Sequence, residues 1–216
     1  MRVVPNLYPA FDRQEVVVHT PRHVRRFGEL GDDEVALVAE AWRLRAAAAR
    51  EEGFPYVHAL VNEGRGAGAS LKHSHSQLVW LREMPPAVSA ERRRRCGLCE
   101  LLESRVNLVA ERDGLTLVCP PAARAPYELL LAPTRHGDDA FGPGLDDALA
   151  LLAHAARALQ ALEGPVPWNA WLHAGQHWHL EFVPRIGVFA GIELGAGIWV
   201  NIVAPEDAAA QLRAAF

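Results

Sequence analysis

The chain has 216 residues, and its 22 Lys and Arg against 26 Asp and Glu give a formal charge of −4. Half of the residues are hydrophobic and 22% are charged, a balance typical of a folded globular protein. The net negative charge argues against nucleic acid as a partner, and polar residues within the apolar stretch 149–162 argue against a membrane span. With three cysteines and no apolar signal segment at its start, the sequence predicts a cytoplasmic protein of one medium or two small fused domains.

Two parts of the chain repeat the same order of sequence elements: an apolar segment running from Glu to His, an amphipathic helix, an apolar strand, and a strand with a His-x-His pair. The matched segments are Glu15–His23 with Glu128–His136, Asp32–Arg50 with Asp146–Leu162, Tyr56–Asn62 with Trp168–His173, and His73–Gln77 with His177–Glu181. We interpret the match as a duplicated unit rather than a chance similarity between amphipathic segments. Short connections between the strands favour an antiparallel sheet with its helix on one face, so we expect an α+β fold of two fused units.

The repeat also predicts where one unit ends and the next begins. We place an N-terminal unit at residues 1–85, a connector at 86–95 and a C-terminal unit at 96–216. The connector contains four consecutive arginines, 92–95. Such a run could bind phosphate, but it is more often a solvated linker or helix face, which is the interpretation adopted here.

The segment 62–77 carries the strongest chemical signal of the chain. Its three glycines (Gly64, Gly66, Gly68) allow backbone N–H groups to approach an anion closely, although a flexible hairpin tip would look the same. The strand that follows would place His73, His75 and Gln77 on one face, because alternate residues of a strand share a face. A phosphate-binding loop would therefore deliver two imidazoles and a carboxamide to one place.

These residue types favour group transfer over hydrolysis. A neutral imidazole can attack phosphorus and later leave, provided that an acceptor such as a backbone carbonyl holds its other nitrogen in the N–H form. The neutral Gln77 can donate a hydrogen bond to a phosphoryl oxygen, but it offers no proton to a leaving group and activates no water. A third histidine at that position could act as a general acid. A packed or surface histidine is the alternative interpretation of any single position.

Segments along nearly the whole chain resemble the galactose-1-phosphate uridylyltransferase-like family, the transferase branch of the histidine-triad superfamily. Besides 62–77, the matching segments are N-L-Y-P-A at 6–10, P-R-H at 21–23, R-A-P-Y-E at 124–128, W-L-H at 171–173, F-V-P-R at 182–185 and G-I-E-L-G-A-G-I-W-V-N with P-E-D-A-A at 191–209. The resemblance implies two fused histidine-triad-like units and a ping-pong transfer of a nucleoside monophosphate.

The resemblance also implies roles for residues around the transferred phosphate. His75 would be the nucleophile that carries the nucleoside monophosphate. Gln77 and Ser70 would contact the transferred phosphate, and Asn62 and Gly68 would shape its loop.

Two further positions are implied to lie on either side of that phosphate. Asn6 would line the base and ribose pocket, and Glu193 falls where the family contacts the sugar or another acceptor. In the family this acceptor element can reach the site of a partner subunit, which implies a homodimer. The small-molecule partners would be a nucleotide donor and a small phosphorylated acceptor.

A zinc site is predicted in the C-terminal unit. Cys96 and Cys99 have zinc-knuckle spacing, although a redox pair or two buried thiols would share it. The repeat suggests His136 and either His177 or His179 as further ligands. The resemblance supports one structural zinc on Cys96, Cys99, His136 and His177; His179, His173 and Glu181 form the competing set, since other relatives bind metal there. Cys119 is expected in the core.

A second zinc site is expected to be incomplete. The repeat makes His23 and His73 the counterparts of His136 and His177, but the matching cysteine pair would lie before residue 1. The chain therefore resembles an N-terminally short family member, in which part of the nucleotide pocket and of the dimer contact would be missing.

The leading functional hypothesis is a nucleotidyltransferase that moves UMP or AMP through His75 from a nucleotide or nucleotide sugar to a sugar 1-phosphate-type acceptor. Two alternatives belong to other classes. A hydrolase or phosphorylase of small nucleotides is disfavoured by Gln77, and a truncated, non-catalytic nucleotide-binding protein is disfavoured by the intact Ser70, His75 and Gln77.

Overall fold

The computed structural model describes residues 1–91 and 95–216. The strands are β1 (Arg2–Pro5), β2 (Arg13–Val18), β3 (Tyr56–Glu63), β4 (His75–Leu81), β5 (Leu108–Arg112), β6 (Leu115–Val118), β7 (Leu129–Pro133), β8 (Trp168–His173) and β9 (His179–Pro184). The α-helices are α1 (Asp32–Glu51), α2 (Pro86–Glu91), α3 (Gly97–Ser104), α4 (Leu145–Glu163), α5 (Gly191–Ala196) and α6 (Pro205–Ala215). None of these helices is long and apolar enough to cross a lipid bilayer.

The two long helices form where acidic residues precede an apolar face. Glu34 of α1 accepts the N–H of Gly31 at 3.0 Å, so the first turn is capped by its own acid. In α4, the acids Asp146 and Asp147 occupy the first turn, where their negative charges interact favourably with the positive end of the helix dipole. α4 ends at Glu163, and the next residue, Gly164, has a φ of 73°, which a residue without a Cβ adopts without steric cost.

All nine strands form one antiparallel sheet in the order β1-β2-β4-β3-β8-β9-β7-β6-β5. The predicted units are therefore β2-α1-β3-β4 and β7-α4-β8-β9, and they join where β3 pairs with β8, Asn62 opposite Asn169. In this one sheet each unit covers a strand edge of the other, so two strand edges that would otherwise be exposed are paired.

The helices α1 and α4 pack on each other, and both contribute their apolar faces to a single core. An ion pair between Arg43 of α1 and Asp146 of α4 links the two units across this layer. Trp42 of α1 donates its indole N–H to Ser76 Oγ on β4 at 2.9 Å. The odd-numbered residues of β4 therefore face away from the helices, because side chains alternate along a strand.

Several sequence-based expectations need adjustment. β4 begins at His75, so His73 lies in the bend before the strand and not within it. The strands β1, β5 and β6 were not predicted. The predicted connector, 86–95, contains helix α2; its arginines 92–94 lie outside the described residues, and Arg95 is paired with Glu100. Cys119 is fully buried, as expected.

Candidate active site and metal centre

The strand that carries the His-x-His-x-Gln motif is anchored from its helix-facing side. His19 Nδ1 and Ser74 Oγ are 2.9 Å apart, and Trp42 binds Ser76. Burial, with the neighbouring His75 and His73 as smaller causes, lowers the pKa of His19 to about 3, so this ring is neutral. Sequence reasoning assigned the two serines only to the opposite face and missed both partners, whose bonds fix the backbone on either side of His75.

The orientation of His75 is set by its own chain. Its Nδ1 lies 2.8 Å from the carbonyl oxygen of His73, so a carbonyl acceptor holds the proton on Nδ1. His73 is fixed in turn, because its Nε2 lies 2.8 Å from the carbonyl oxygen of Thr20. The lone pair of His75 is left on Nε2, as a nucleophilic imidazole requires. The side chain is 5% exposed.

The glycine-rich loop folds as a tight turn between β3 and β4. Gly64 and Gly68 have φ of 81° and 88°, a region that side chains with a Cβ avoid. The N–H groups of Ala67 and Ala69 both donate to Gly64 O within the turn. These N–H groups are therefore used by the loop itself, and an anion would be bound by the residues that follow them.

The second unit supports this loop. Asn169 of β8 donates its amide N–H groups to Asn62 Oδ1 at 2.7 Å and to Ala67 O at 2.8 Å. Asn62 is thereby held with its own amide nitrogen free to donate. Glu63, the next residue, accepts hydrogen bonds from Phe27 N and from Trp168 Nε1. Burial raises the pKa of the Glu63 carboxyl to about 7 in spite of these donors.

Gln77 is oriented by a residue that sequence reasoning missed. Gln14 of β2 donates to Gln77 Oε1 at 2.6 Å, which leaves the amide nitrogen of Gln77 free to donate. The Gln14 side-chain oxygen accepts the N–H of Ala10 at 2.9 Å, and its main-chain oxygen accepts the N–H of Asn6 at 2.8 Å. The segment around Asn6 is thus tied to the catalytic strand through Gln14.

A cavity of about 600 Å³ opens beside His75. Among the predicted site residues, Asn62, Ser70 and His75 line it, with His73 beside them. Gly68, Gln77 and Asn6 do not line it, although the first two belong to the same loop and strand. The cavity wall therefore brings His75 together with Asn62 and Ser70 of the glycine-rich loop.

Glu193 lies away from this cavity. It lies in the first turn of helix α5, where its carboxylate accepts the N–H of Ala190 at 2.8 Å. Backbone hydrogen bonds hold the pKa of the Glu193 carboxyl below its usual value. The segment around it exposes apolar side chains, with Val188 at 89%, Leu194 at 75% and Ile202 at 76% of their surface.

The second unit brings four candidate metal ligands together. Ligand atoms of Cys96, Cys99, His136 and His177 lie within 4.8 Å of one another. His177 Nδ1 is 3.4–3.5 Å from both sulfurs, and His136 Nδ1 is 3.3 Å from Cys99 Sγ. A tetrahedral zinc ion separates sulfur and nitrogen ligands by about 3.5 Å, so these residues fit that metal. His177 Nε2 also donates to Pro133 O at 2.7 Å, a bond that orients the ring.

His179 belongs to a different cluster. It stacks on His173 with ring centroids 4.6 Å apart, and His173 Nε2 lies 2.9 Å from a carboxylate oxygen of Glu91. Ligand atoms of these three residues also lie within 4.8 Å of one another. Glu91 was not recognised in the sequence, because the topology alone brings α2 to the end of β8. The structure thus joins His177, and not His179, to the thiols.

The first unit offers no equivalent of the thiol cluster within residues 1–91 and 95–216. His23 and His73, the counterparts of His136 and His177, line a common opening, and among the described residues no third metal-ligating side chain joins them. Within the part of the chain that the structure describes, these two histidines alone do not fit a tetrahedral zinc ion.

Comparisons with known proteins agree with this geometry. Residues 9–86 match the family model described as galactose-1-phosphate uridyl transferase, N-terminal domain. ADP-glucose phosphorylase of Arabidopsis thaliana is 28% identical over 99% of this chain and 74% of its own length. Galactose-1-phosphate uridylyltransferase of Thermotoga maritima is 26% identical over 92% of this chain and 73% of its own length.

Solved structures show the same fold. A uridylyltransferase structure superposes with a TM-score of 0.91 at 26% identity, covering 99% of this chain and 84% of that one. The crystal structure of the Arabidopsis ADP-glucose phosphorylase with bound ADP-glucose superposes with a TM-score of 0.89 at 26% identity, covering 98% and 80%.

The fold and the comparisons together define the class of this protein: it is a nucleotidyltransferase with an α+β fold built on one antiparallel sheet, and its relatives include an ADP-glucose phosphorylase. More narrowly, the chain is similar over nearly its whole length to proteins of the galactose-1-phosphate uridylyltransferase-like family.

Proposed function

We propose that the enzyme transfers a nucleoside monophosphate, UMP or AMP, from a nucleotide sugar or nucleotide donor to a sugar 1-phosphate-type acceptor through a covalent intermediate on His75. The observation that carries this proposal is the 2.8 Å bond from His75 Nδ1 to His73 O beside a cavity lined by the glycine-rich loop. It directs the free lone pair of a buried imidazole toward the place where a phosphate would bind.

The first step forms one bond and breaks one. His75 Nε2 attacks the α-phosphorus of the donor, and the bond from that phosphorus to the bridging oxygen breaks, with the electron pair leaving on the departing phosphate. The imidazole becomes cationic, because its proton stays on Nδ1 and remains donated to the carbonyl oxygen of His73. A phosphate leaving group needs no proton to depart, which agrees with Gln77 in place of a general acid. In the second step an acceptor phosphate oxygen attacks the same phosphorus, and the bond to Nε2 breaks.

Uncharged hydrogen-bond donors of the protein would stabilise the charge on the transferred phosphate. The amide nitrogens of Gln77 and Asn62 are both free to donate, because their oxygens accept from Gln14 and Asn169. Ser70 lines the cavity and supplies a hydroxyl. Gly68 gives the loop its turn, and Asn6, tied to Gln14, is assigned to the base and ribose pocket.

Zinc is the ion proposed for Cys96, Cys99, His136 and His177, in a structural role. It would join α3 to the end of β7 and the start of β9, far along the sheet from His75. No step of the reaction needs it.

A homodimer is proposed to complete the acceptor side. Glu193 lies outside the cavity of its own chain, and the segment that carries it exposes several apolar side chains. An acceptor role for Glu193 is therefore proposed through the site of a partner subunit. The cytoplasmic location also stays a prediction.

Phosphorolysis is the second candidate function, with inorganic phosphate as the acceptor. The relative that favours it is the ADP-glucose phosphorylase, which is 28% identical to this chain. Both candidates use the same intermediate on His75, and they differ only in the group that takes the nucleotidyl residue.

The test is intact-protein mass spectrometry after the protein is mixed with UDP-glucose or ADP-glucose and no acceptor, at neutral or basic pH. We expect a uridylyl or adenylyl mass addition with one of the donors, and its loss in His75→Ala. His154→Ala is the matched control, because His154 lies on α4 beside Phe216, away from the cavity.

Chasing the adduct with galactose 1-phosphate, glucose 1-phosphate or inorganic phosphate then identifies the acceptor. An adduct that forms equally in His75→Ala would exclude His75 as the nucleophile. Nucleotide binding with no adduct at any time point would exclude covalent transfer.

A further inference from the structure

The first unit has cations where the second unit has thiols. His23 and His73, the repeat counterparts of two candidate zinc ligands, line an opening of about 390 Å³. Its other lining residues are Val24, Arg25 and Lys72, so the described wall carries two permanent cations and no acid. A metal ion would be repelled by this surface, and an anion would be attracted to it.

This opening adjoins the cavity beside His75, with which it shares part of its wall. Arg25, Lys72 and His73 line both of them, and His75 lines the larger one. The larger cavity adds Arg26 and Arg65 and one acid, Glu63, whose carboxylate already accepts hydrogen bonds from Phe27 N and Trp168 Nε1. A group bound between Arg25 and Lys72 would therefore lie next to a phosphate that reacts at His75.

The charges around this opening are not neutralised by the protein. Most other arginines among the described residues form salt bridges; these are Arg13, Arg22, Arg26, Arg43, Arg45, Arg50, Arg82, Arg95, Arg105, Arg112 and Arg124. In contrast, Arg25, Arg65 and Lys72 have no acidic partner among residues 1–91 and 95–216. In a chain of net charge −4, three unpaired cations around one cavity indicate an anionic ligand.

Backbone donors point to the same conclusion. The N–H groups of Ala67, Gly68 and Ala69 bind carbonyl oxygens within the loop. The next N–H groups, those of Ser70, Leu71 and Lys72, have no acceptor in the described protein, and all three residues line the larger cavity. Successive free N–H groups beside cationic side chains form the type of concavity that binds phosphate.

We propose that Arg25, Lys72 and the N–H groups of residues 70–72 form a second phosphate subsite. It would bind the phosphate that leaves the donor and the phosphate of the incoming acceptor, while Ser70 Oγ and His75 hold the transferred one. The subsite rests on the proposed function, since it supplies the group that accepts the nucleotide. It takes a phosphate monoester or inorganic phosphate, and it occupies the position that the repeat relates to the metal centre of the second unit.

Direct binding of inorganic phosphate and of glucose 1-phosphate by isothermal titration calorimetry tests the subsite without requiring turnover. We expect at least one of the two to bind the whole protein, and to bind also when UMP and AMP are present at saturation. The double variant Arg25→Gln/Lys72→Gln should weaken this binding at least about tenfold, because two charge-assisted contacts are lost. The tighter of the two probes identifies the acceptor class.

A charge-matched control is Arg82→Gln/Arg112→Gln, which removes two exposed cations that line neither cavity and form salt bridges elsewhere. It should leave the phosphate affinity within about twofold. If both double variants weakened phosphate binding equally, the effect would come from the net charge of the protein alone, and the subsite would be overturned. Complete competition by nucleoside monophosphate, or binding of zinc that is lost in His23→Asn, would also overturn it. Loss of the nucleotidyl adduct in His75→Ala is independent of all these outcomes, so the two proposals fail separately.

Discussion

The two units share a hydrogen-bond pattern but differ in chemistry. In the first, His73 Nε2 binds Thr20 O and His75 Nδ1 binds His73 O; in the second, His177 Nε2 binds Pro133 O and His179 Nδ1 binds His177 O. The same backbone therefore fixes four imidazoles in the same manner. What differs is the set of groups that meets the free nitrogens.

The loop before each His-x-His pair explains much of the difference. In the first unit, eleven residues separate β3 from β4 and form the glycine-rich turn; in the second, five residues separate β8 from β9. The short connection has no room for a phosphate-binding loop, and His179 instead meets His173 and Glu91. The same hydrogen-bond frame thus carries the proposed nucleophile in one unit and candidate metal ligands in the other, according to loop length and neighbouring charges.

Removing a thiol should break the second unit alone, with the largest effect. Cys99→Ser should release the proposed zinc ion and lower the free energy of unfolding by about 3–5 kcal/mol. The reason is that the ion would no longer hold the remaining ligands together. Metal analysis and urea unfolding measure the two effects. Cys119→Ala is the control, since this buried thiol lies outside the cluster and its variant should keep the full metal content. Full metal content in Cys99→Ser would exclude it as a ligand.

The carboxyl of Glu63 should make the first unit sensitive to pH. Burial raises its pKa to about 7 from an ordinary value of 4.5, so the bound proton stabilises the fold at low pH. This contribution is complete below about pH 4.5 and is lost as the pH rises through 7. Between pH 5 and 8 we expect the free energy of unfolding of the wild type to fall by on the order of 2 kcal/mol relative to that of Glu63→Gln.

Urea unfolding at several pH values measures this difference. Glu34→Gln is the control, because the hydrogen bonds from Arg22 and Thr20 hold the Glu34 pKa at about 2, below the tested range. Its difference from wild type should not change between pH 5 and 8. If the difference in free energy of unfolding between wild type and Glu63→Gln were also constant over this range, the pKa of Glu63 would not be raised.

Loss of the Gln14–Gln77 bond should produce the smallest effect. Gln14→Ala should slow the formation of the nucleotidyl intermediate about five- to tenfold, since one hydrogen bond of about 1 kcal/mol no longer orients the Gln77 amide. Rapid-quench measurement of the adduct gives this rate. Gln211→Ala, which removes a similar bond to Tyr127 in the second unit, should leave the rate unchanged. An unchanged rate in Gln14→Ala would mean that Gln77 is oriented without it.

The sequence by itself determined the repeated unit, the main helices and strands, and the residues of both centres. Helical and strand periodicities are local properties, which is why α1, α4 and β8 lie within two residues of their predicted bounds. The His-x-His-x-Gln and Cys-x-x-Cys spacings are local as well. They identified the cavity residues His75 and Ser70 and the thiols, the repeat supplied His136 with either His177 or His179, and the family resemblance favoured His177.

Only the tertiary structure decided how these parts meet. Strand pairing between β3 and β8 places Asn169 and Trp168 against the glycine-rich loop, contacts that join residues more than 100 positions apart. The supporting residues His19, Gln14 and Glu91 carry no motif, because each acts through one partner that the fold brings to it. The repeat alone did not separate His177 from His179, and the three-dimensional geometry places the predicted His177 beside the thiols and His179 beside His173 and Glu91.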